Sequence, residues 1–201
     1  MIHNAKRENF SVNFESKDDG IFIRGGNFGK IAFGQTLLFT LTLRDTSTKD
    51  LQSNKIKYIA PFVHLIHSVD SYKLLAEIDK QGAKAGRRIP CLLQIHIAQE
   101  ETKFGFTPQE CLAMLAGGEW RGLANVEIRG LMCMASNTTD EAQINSEFAA
   151  VKELFNTIKE NHFPADENFS VFSAGMSDDY PIAVSHGSNH VRVGSAIFAE
   201  E

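Results

Sequence analysis

A chain of 201 residues, 43% hydrophobic and 22% charged, is long enough to bury one substantial core and has an ordinary globular composition. Its formal net charge of −5 gives no general attraction to nucleic acid or to anionic membrane, so neither is expected as a partner. The opening stretch MIHNAKRENFSVNF has basic residues but no apolar run behind them, which argues against a secretory signal. No stretch approaches the roughly 20 apolar residues needed to span a bilayer. Cys91, Cys111 and Cys133 fit neither a paired disulfide framework nor zinc-ligand spacing and read as reduced, buried thiols, so the cytoplasm is the expected compartment.

Residues 1–50 have a texture of their own, rich in Phe, Thr and Gly, with strand-like alternation in TLLFTLTLRD and no amphipathic helix. The glycines of RGGNFGKIAFG match neither phosphate-loop pattern, so no nucleotide loop is expected there. A domain division is accordingly drawn at residue 50, with an atypical segment before it and the main body over residues 51–201.

From Pro61 onward, short aliphatic runs alternate with helical periodicity. PFVHLIHSV reads as a strand. The helix SYKLLAEIDKQGAKAG follows, capped by Asp70 or Ser71, with Leu74, Leu75 and Ile78 on one face and Gly86 past its end. IPCLLQIHIA is nearly all apolar, as a parallel strand covered on both faces should be. Thr107 and Glu110 make a capping box, with Pro108 at the first helical position of PQECLAMLAG. VEIRGLMCMA is a third strand. The next helix carries Ile144, Phe148, Val151, Phe155 and Ile158 at alternating steps of four and three, which paints a single apolar stripe. FSVFSAGM and HVRVGSAIF are the last strands, separated by a short helix around YPIAVSH that Gly187 stops.

Repeated β-α units make either an open doubly wound sheet or a closed barrel, and the pattern alone leaves both open. In either, the chemistry lies beyond the carboxyl ends of the strands, where loops and helix N-termini converge. Ser177 follows one strand there and precedes a helix, an arrangement that can hold a phosphate. Gly194 lets the backbone approach closely, and Ser195 adds an N–H and a hydroxyl. Arg192, two positions before Gly194, shares its strand face. Each residue has a plainer alternative: Ser177 as a helix cap, Arg192 paired with Asp178 or Asp179, and Gly194 as a bulge. Asp178 and Asp179 read as helix N-terminal charges and not as an acid/base pair. His64, His67 and His96 lack carboxylate or Cys partners at ligand-like spacing, so no metal is expected. Ser177 sits in GMSDD and not in a nucleophile elbow.

The segments LQSNKIKYIAPFVHLIHSVDSYKLLAEIDKQ, LLQIHIAQEETKFGF, IRGLMCMAS and SAGMSDDYPIAVSHGSNHVRVGSAIF occur in order between Leu51 and Phe198. In these the chain resembles the YggS/PROSC family of pyridoxal phosphate homeostasis proteins. The resemblance implies an α/β fold, a (β/α)8 TIM barrel of the alanine racemase N-terminal type, incomplete or altered in its first three strands. It implies pyridoxal 5'-phosphate as ligand, with its phosphate held by Ser177 and by the backbone of Gly194 and Ser195. Arg192 would lie near the pyridine nitrogen, keeping it unprotonated and the ring a weak electron sink, which suits a carrier better than a catalyst. Dependent apoenzymes would be the recipients of the cofactor.

The front departs from the family pattern. The Ser-Lys-x-x-Pro motif that carries the family's Schiff-base lysine is missing, and Lys6, Lys17, Lys30 and Lys49 stand in other contexts; AFGQ echoes the second motif only faintly. The abrupt change of texture favours a truncated or frame-shifted reading of the gene over a replaced N-terminus. Lys103, just past a strand end, is an alternative amine, although it reads more simply as a solvated surface lysine, as do Lys55 and Lys57. The expected function is that of a cofactor carrier and buffer without turnover. Its competitor is a non-binding barrel remnant or protein-interaction module that has lost the lysine. A racemase would need a second acid/base from a further domain.

Overall fold

The computed structural model describes residues 56–98 and 104–193. In chain order these form α1 (Ile56–Ile59), β1 (Ile66–Val69), α2 (Tyr72–Ala85), β2 (Ile89–Ile95), α3 (Pro108–Gly117), a 3-10 helix (Glu119–Gly122), β3 (Val126–Cys133), α4 (Glu141–His162), β4 (Val171–Ser173) and α5 (Tyr180–Ser185). The four strands make one parallel sheet in the order β1-β2-β3-β4. Every neighbour in space is the neighbour in sequence, with a helix-bearing crossover between them. The order therefore never reverses, as in a barrel wall and unlike the switch point of a doubly wound sheet.

Local chemistry accounts for the helix ends. Ser71, rather than Asp70, caps α2 by accepting the Leu74 N–H at 3.3 Å, while Asp70 accepts from the Ser71 hydroxyl. Gly86 closes the other end at φ 64°, a left-handed conformation that costs glycine little. Thr107 and Glu110 form the expected capping box on α3. The stripe of α4 is buried as its spacing requires, with Leu154 added to it.

All seven residues of β2 are buried, which explains its unbroken apolar run. Beneath α4 the ring of Phe169 stacks on Phe155 at 5.0 Å and on Phe163 at 4.5 Å, and Phe155 meets Phe172 at 5.9 Å. Phe148, Phe169 and Phe172 are essentially inaccessible, and burial of each stabilises the fold by about 1.5–3 kcal/mol.

Several details differ from the sequence expectation. The first strand begins only at Ile66, because residues 61–65 turn out of α1; the Val63 N–H donates to Ile59 O, and the Arg87 guanidinium clamps Ala60 O and Val63 O, each at 2.8 Å. The 3-10 helix after Gly118 has no sequence signal, since one short turn carries no periodicity. Of the expected last strand, His190 makes an isolated parallel bridge to Ser173, and residues 194–198 lie outside the described part.

A contact between β1 and β4 fixes the shape of the sheet. His67 Nδ1 of β1 lies 3.1 Å from Ser173 Oγ of β4. Three strand spacings separate these strands, about 14 Å in a flat sheet. That exceeds the reach of the two side chains, so the sheet is curled toward the face that carries them.

Candidate functional site

Because the strands are parallel, β3 and β4 deliver their last residues, Cys133 and Ser173, to the same end of the sheet. The chain returns beside β4 after α5: the Ala174 N–H donates to His190 O at 3.0 Å, and the Arg192 N–H donates to Gly175 O at 2.9 Å. This bonding sets the Arg192 side chain across two strand ends. Its Nη1 donates to Ser173 Oγ at 2.9 Å and to Ser173 O at 3.3 Å, and its Nη2 donates to Cys133 O at 3.0 Å.

Burial pulls the Arg192 guanidinium below its usual pKa, with Cys133 and Asp179 acting the other way. A guanidinium starts so high that it stays charged at neutral pH. Among the described residues no carboxylate forms an ion pair with it. The pairing with Asp178 or Asp179 is not made: the Asp179 carboxylate instead accepts the Met176 N–H at 2.6 Å and closes the turn that contains Ser177.

That turn is tight for a steric reason. Gly175 sits at φ 97°, and a Cβ there would stand 2.8 Å from both Tyr180 Cα and Ala183 Cβ. Glycine therefore lets the exit of β4 fold directly onto α5. The half-buried Ser177 is held two residues beyond Gly175, whose carbonyl takes the Arg192 N–H. With six residues, α5 is too short to supply much of a helix dipole, so any anion here would rely on the turn and the hydroxyl. Gly194, Ser195, Lys55 and Lys103 lie outside the described residues. Lys57 is exposed on α1, with its ammonium over the Tyr58 ring.

Ser173 and, through it, His67 join the Arg192 cluster, although by sequence His67 is weighed only as a metal ligand and Ser173 is not singled out. Ser173 is fully buried and His67 is 9% exposed. Burial first, then the positive fields of Arg192 and His190, push the His67 imidazole down to about 4. Its Nε2 is buried and has no hydrogen-bond partner among the described residues. The other histidines stand elsewhere: His64 is exposed, and His96 Nε2 lies 2.9 Å from Ala98 O. No three His, Cys, Asp or Glu side chains among the described residues gather as metal ligands. Nor is any helix among them long and apolar enough to cross a membrane.

The depressed His67 value has a measurable consequence. An unfolded histidine titrates near 6.5, so below that pH the unfolded chain takes up a proton that the native state refuses. Stability should fall as pH drops from about 6.5 to about 4, by up to about 3 kcal/mol, and His67 should contribute no further change below that. Urea unfolding of the parent chain and of His67→Asn across this range checks it, since the variant should lack this part of the slope.

Residues 43–201 match the family model described as alanine racemase, N-terminal domain. The pyridoxal phosphate homeostasis protein of Helicobacter pylori strain 26695 is 38% identical over 151 residues, covering 75% of this chain and 64% of that protein. The protein of the same name from Pseudomonas aeruginosa is 30% identical over 175 residues, covering 87% and 72%. This chain thus spans a little under two thirds of the length of the Helicobacter relative. Among solved structures, PipY of Synechococcus elongatus without PLP superposes at a TM-score of 0.68 with 31% identity, covering 76% of this chain and 69% of that one. The same protein with PLP bound gives 0.67 and 30%, covering 76% and 68%. An alanine racemase of Clostridium difficile, at 13% identity and a TM-score of 0.55 over 75% of this chain and 38% of that one, shares the fold alone.

Proposed function

We propose, since this chain belongs to the pyridoxal phosphate homeostasis family of alanine racemase N-terminal domains, that it binds pyridoxal 5'-phosphate at the carboxyl end of its sheet. In this reading it serves as a cytoplasmic carrier and buffer of the cofactor, handing it to dependent apoenzymes without turnover of its own. One observation carries the reading: a half-buried guanidinium, Arg192, fixed on Ser173 and Cys133 and unpaired with any carboxylate of the described residues.

The residues present suit the cofactor. Arg192 is a donor that never accepts, so it can meet the lone pair of an unprotonated pyridine nitrogen and disfavours a second cation beside it. Ser177, in the turn closed by Asp179, offers a hydroxyl to a phosphate, and Gly194 and Ser195 would add backbone donors after Arg192. Among the described residues the Nε2 of His67 is left without a partner, which supports a site built for something beyond these side chains, since an unmet buried polar atom costs about 1–3 kcal/mol. When bound, the cofactor supplies an aldehyde and an electron-withdrawing ring. The protein side contributes orientation through Arg192 and, through the neutral His67, an interior that adds no second positive charge.

The test is a titration of the purified chain with pyridoxal 5'-phosphate, followed by borohydride reduction and peptide mass mapping. Saturation at one cofactor per chain, with label on a single lysine, is the expected result, and it would identify whether Lys103 or an N-terminal lysine supplies the amine. Diffuse labelling without saturation would overturn the carrier and leave the competing reading of a non-binding barrel remnant.

A further inference from the structure

We propose that His67 is a positioning residue for the cofactor ring, acting through Ser173 to hold the Arg192 guanidinium in place; this rests on the binding reading above. Ser173 Oγ stands between two polar groups, 2.9 Å from Arg192 Nη1 and 3.1 Å from His67 Nδ1. A hydroxyl has one hydrogen to give and two lone pairs to receive. Arg192 only donates, so the Ser173 hydrogen is directed elsewhere.

Counting unmet groups decides the tautomer. If His67 carried its proton on Nδ1, that N–H would donate to Ser173 Oγ, and both the serine hydrogen and the buried Nε2 lone pair would lack partners among the described residues. With the proton on Nε2, Nδ1 accepts the serine hydrogen and a single group, the Nε2–H, is left over. The second arrangement has fewer orphans and lines up three groups in one donating sense, Arg192 to Ser173 to His67. Such chains polarise their members, so an oxygen that donates to His67 is a better acceptor for Arg192.

The arrangement also explains why a β1 residue matters to a site on β3 and β4. Ser173 alone has three staggered positions for its hydroxyl, and the fixed imidazole acceptor selects the one that also faces Arg192. His67 is buried on a strand and cannot swing away, so it anchors the hydroxyl. Arg192, by contrast, is reached by a long flexible stem and gains its orientation from acceptors that are themselves fixed.

Two readouts test this, one without any ligand. In the ligand-free chain, phenylglyoxal modification of Arg192, followed by peptide mass mapping, should be slow in the parent. It should quicken about tenfold in His67→Leu and in Ser173→Ala, the effect of losing about one charge-assisted hydrogen bond. His67→Asn, whose amide reaches the place of Nδ1, should restore the slow rate. In the loaded chain, His67→Leu should bind pyridoxal 5'-phosphate about tenfold more weakly and shift its absorption band, and His67→Asn should rescue both. Thermal melts identify any variant that has lost its fold, and Ser173→Ala serves where His67→Leu has.

Parent-like Arg192 reactivity in folded His67→Leu and Ser173→Ala would overturn the proposal, as would equal acceleration in His67→Asn and His67→Leu. Imidazole nitrogen shifts showing the proton on Nδ1 would overturn it as well. If the parent chain failed to bind the cofactor, the functional reading would fall, while the ligand-free reactivities would still decide whether His67 holds Arg192.

Discussion

Alanine in place of Gly130 is expected to destabilise the sheet more than any other single methyl added to a glycine among the described residues. In β3 the register against β2 slips by one residue: Cys91 pairs with Ile128 but Leu92 pairs with Gly130, leaving Arg129 as a bulge. At the slip Gly130 takes φ 151°, and a Cβ built there would collide with the carbonyl oxygen of Val171 in β4. The obstacle is backbone, so no rotamer change relieves it. Either the residue abandons its conformation, at about 1–3 kcal/mol of strain, or β4 moves away and loses its pairing with β3. Whichever response is cheaper should still cost about 2–3 kcal/mol, a large part of the 5–15 kcal/mol that holds a typical domain together.

The consequence would reach the site, because β4 carries Ser173 and leads into the Gly175 turn. Gly117, at the end of α3, provides the control: a Cβ there meets nothing within 4 Å. Ala at Gly117 should be neutral or stabilising by up to about 1 kcal/mol. Denaturant unfolding of both variants measures the difference, and a Gly130→Ala chain as stable as the parent would show that the β3–β4 contact is not as close as described.

The second large effect is expected at Arg192. Leucine there should weaken pyridoxal 5'-phosphate binding about a hundredfold, since it removes the charged donor and its hydrogen bonds of about 1.5–3 kcal/mol each to charged groups. Lysine should not rescue it. One guanidinium spans the ends of β3 and β4 through Nη1 and Nη2, whereas an ammonium is a single point that cannot reach Ser173 and Cys133 in the same planar way. Parallel circular dichroism would show the variants folded, because Arg192 is only partly buried and its partners are the ends of strands rather than the core. Retained affinity in Arg192→Leu would remove Arg192 from the site.

Much of this scaffold can be read from local pattern. Ser71 and Gly86, Thr107 with Glu110, and the stripe from Ile144 to Ile158 are decided within a turn or two of helix, where spacing and side-chain chemistry act directly. The one-turn α1 and the late start of β1 escape such reading, since Arg87 fixes the turn before β1 from the far side of α2.

The candidate site divides in the same way. Arg192 and Ser177 can be picked out as candidates because each sits beside a strand end. The link from His67 to Ser173 joins residues 106 positions apart and arises only when the sheet curls, so no spacing in the chain announces it. A polar residue at the end of a buried strand, as Ser173 is, was the available signal. The order of the strands, which separates a barrel wall from a doubly wound sheet, is likewise a tertiary fact.

The most direct test of the central claim is hydrogen exchange of the intact chain, mapped by peptide, with and without pyridoxal 5'-phosphate. Binding at the carboxyl end of the sheet predicts slowed exchange in the peptides around Ser173 to Ser177 and around Arg192, with α2 and the amino-terminal ends of β2 and β3 unchanged. Unchanged exchange in those two segments at saturating cofactor would contradict the account.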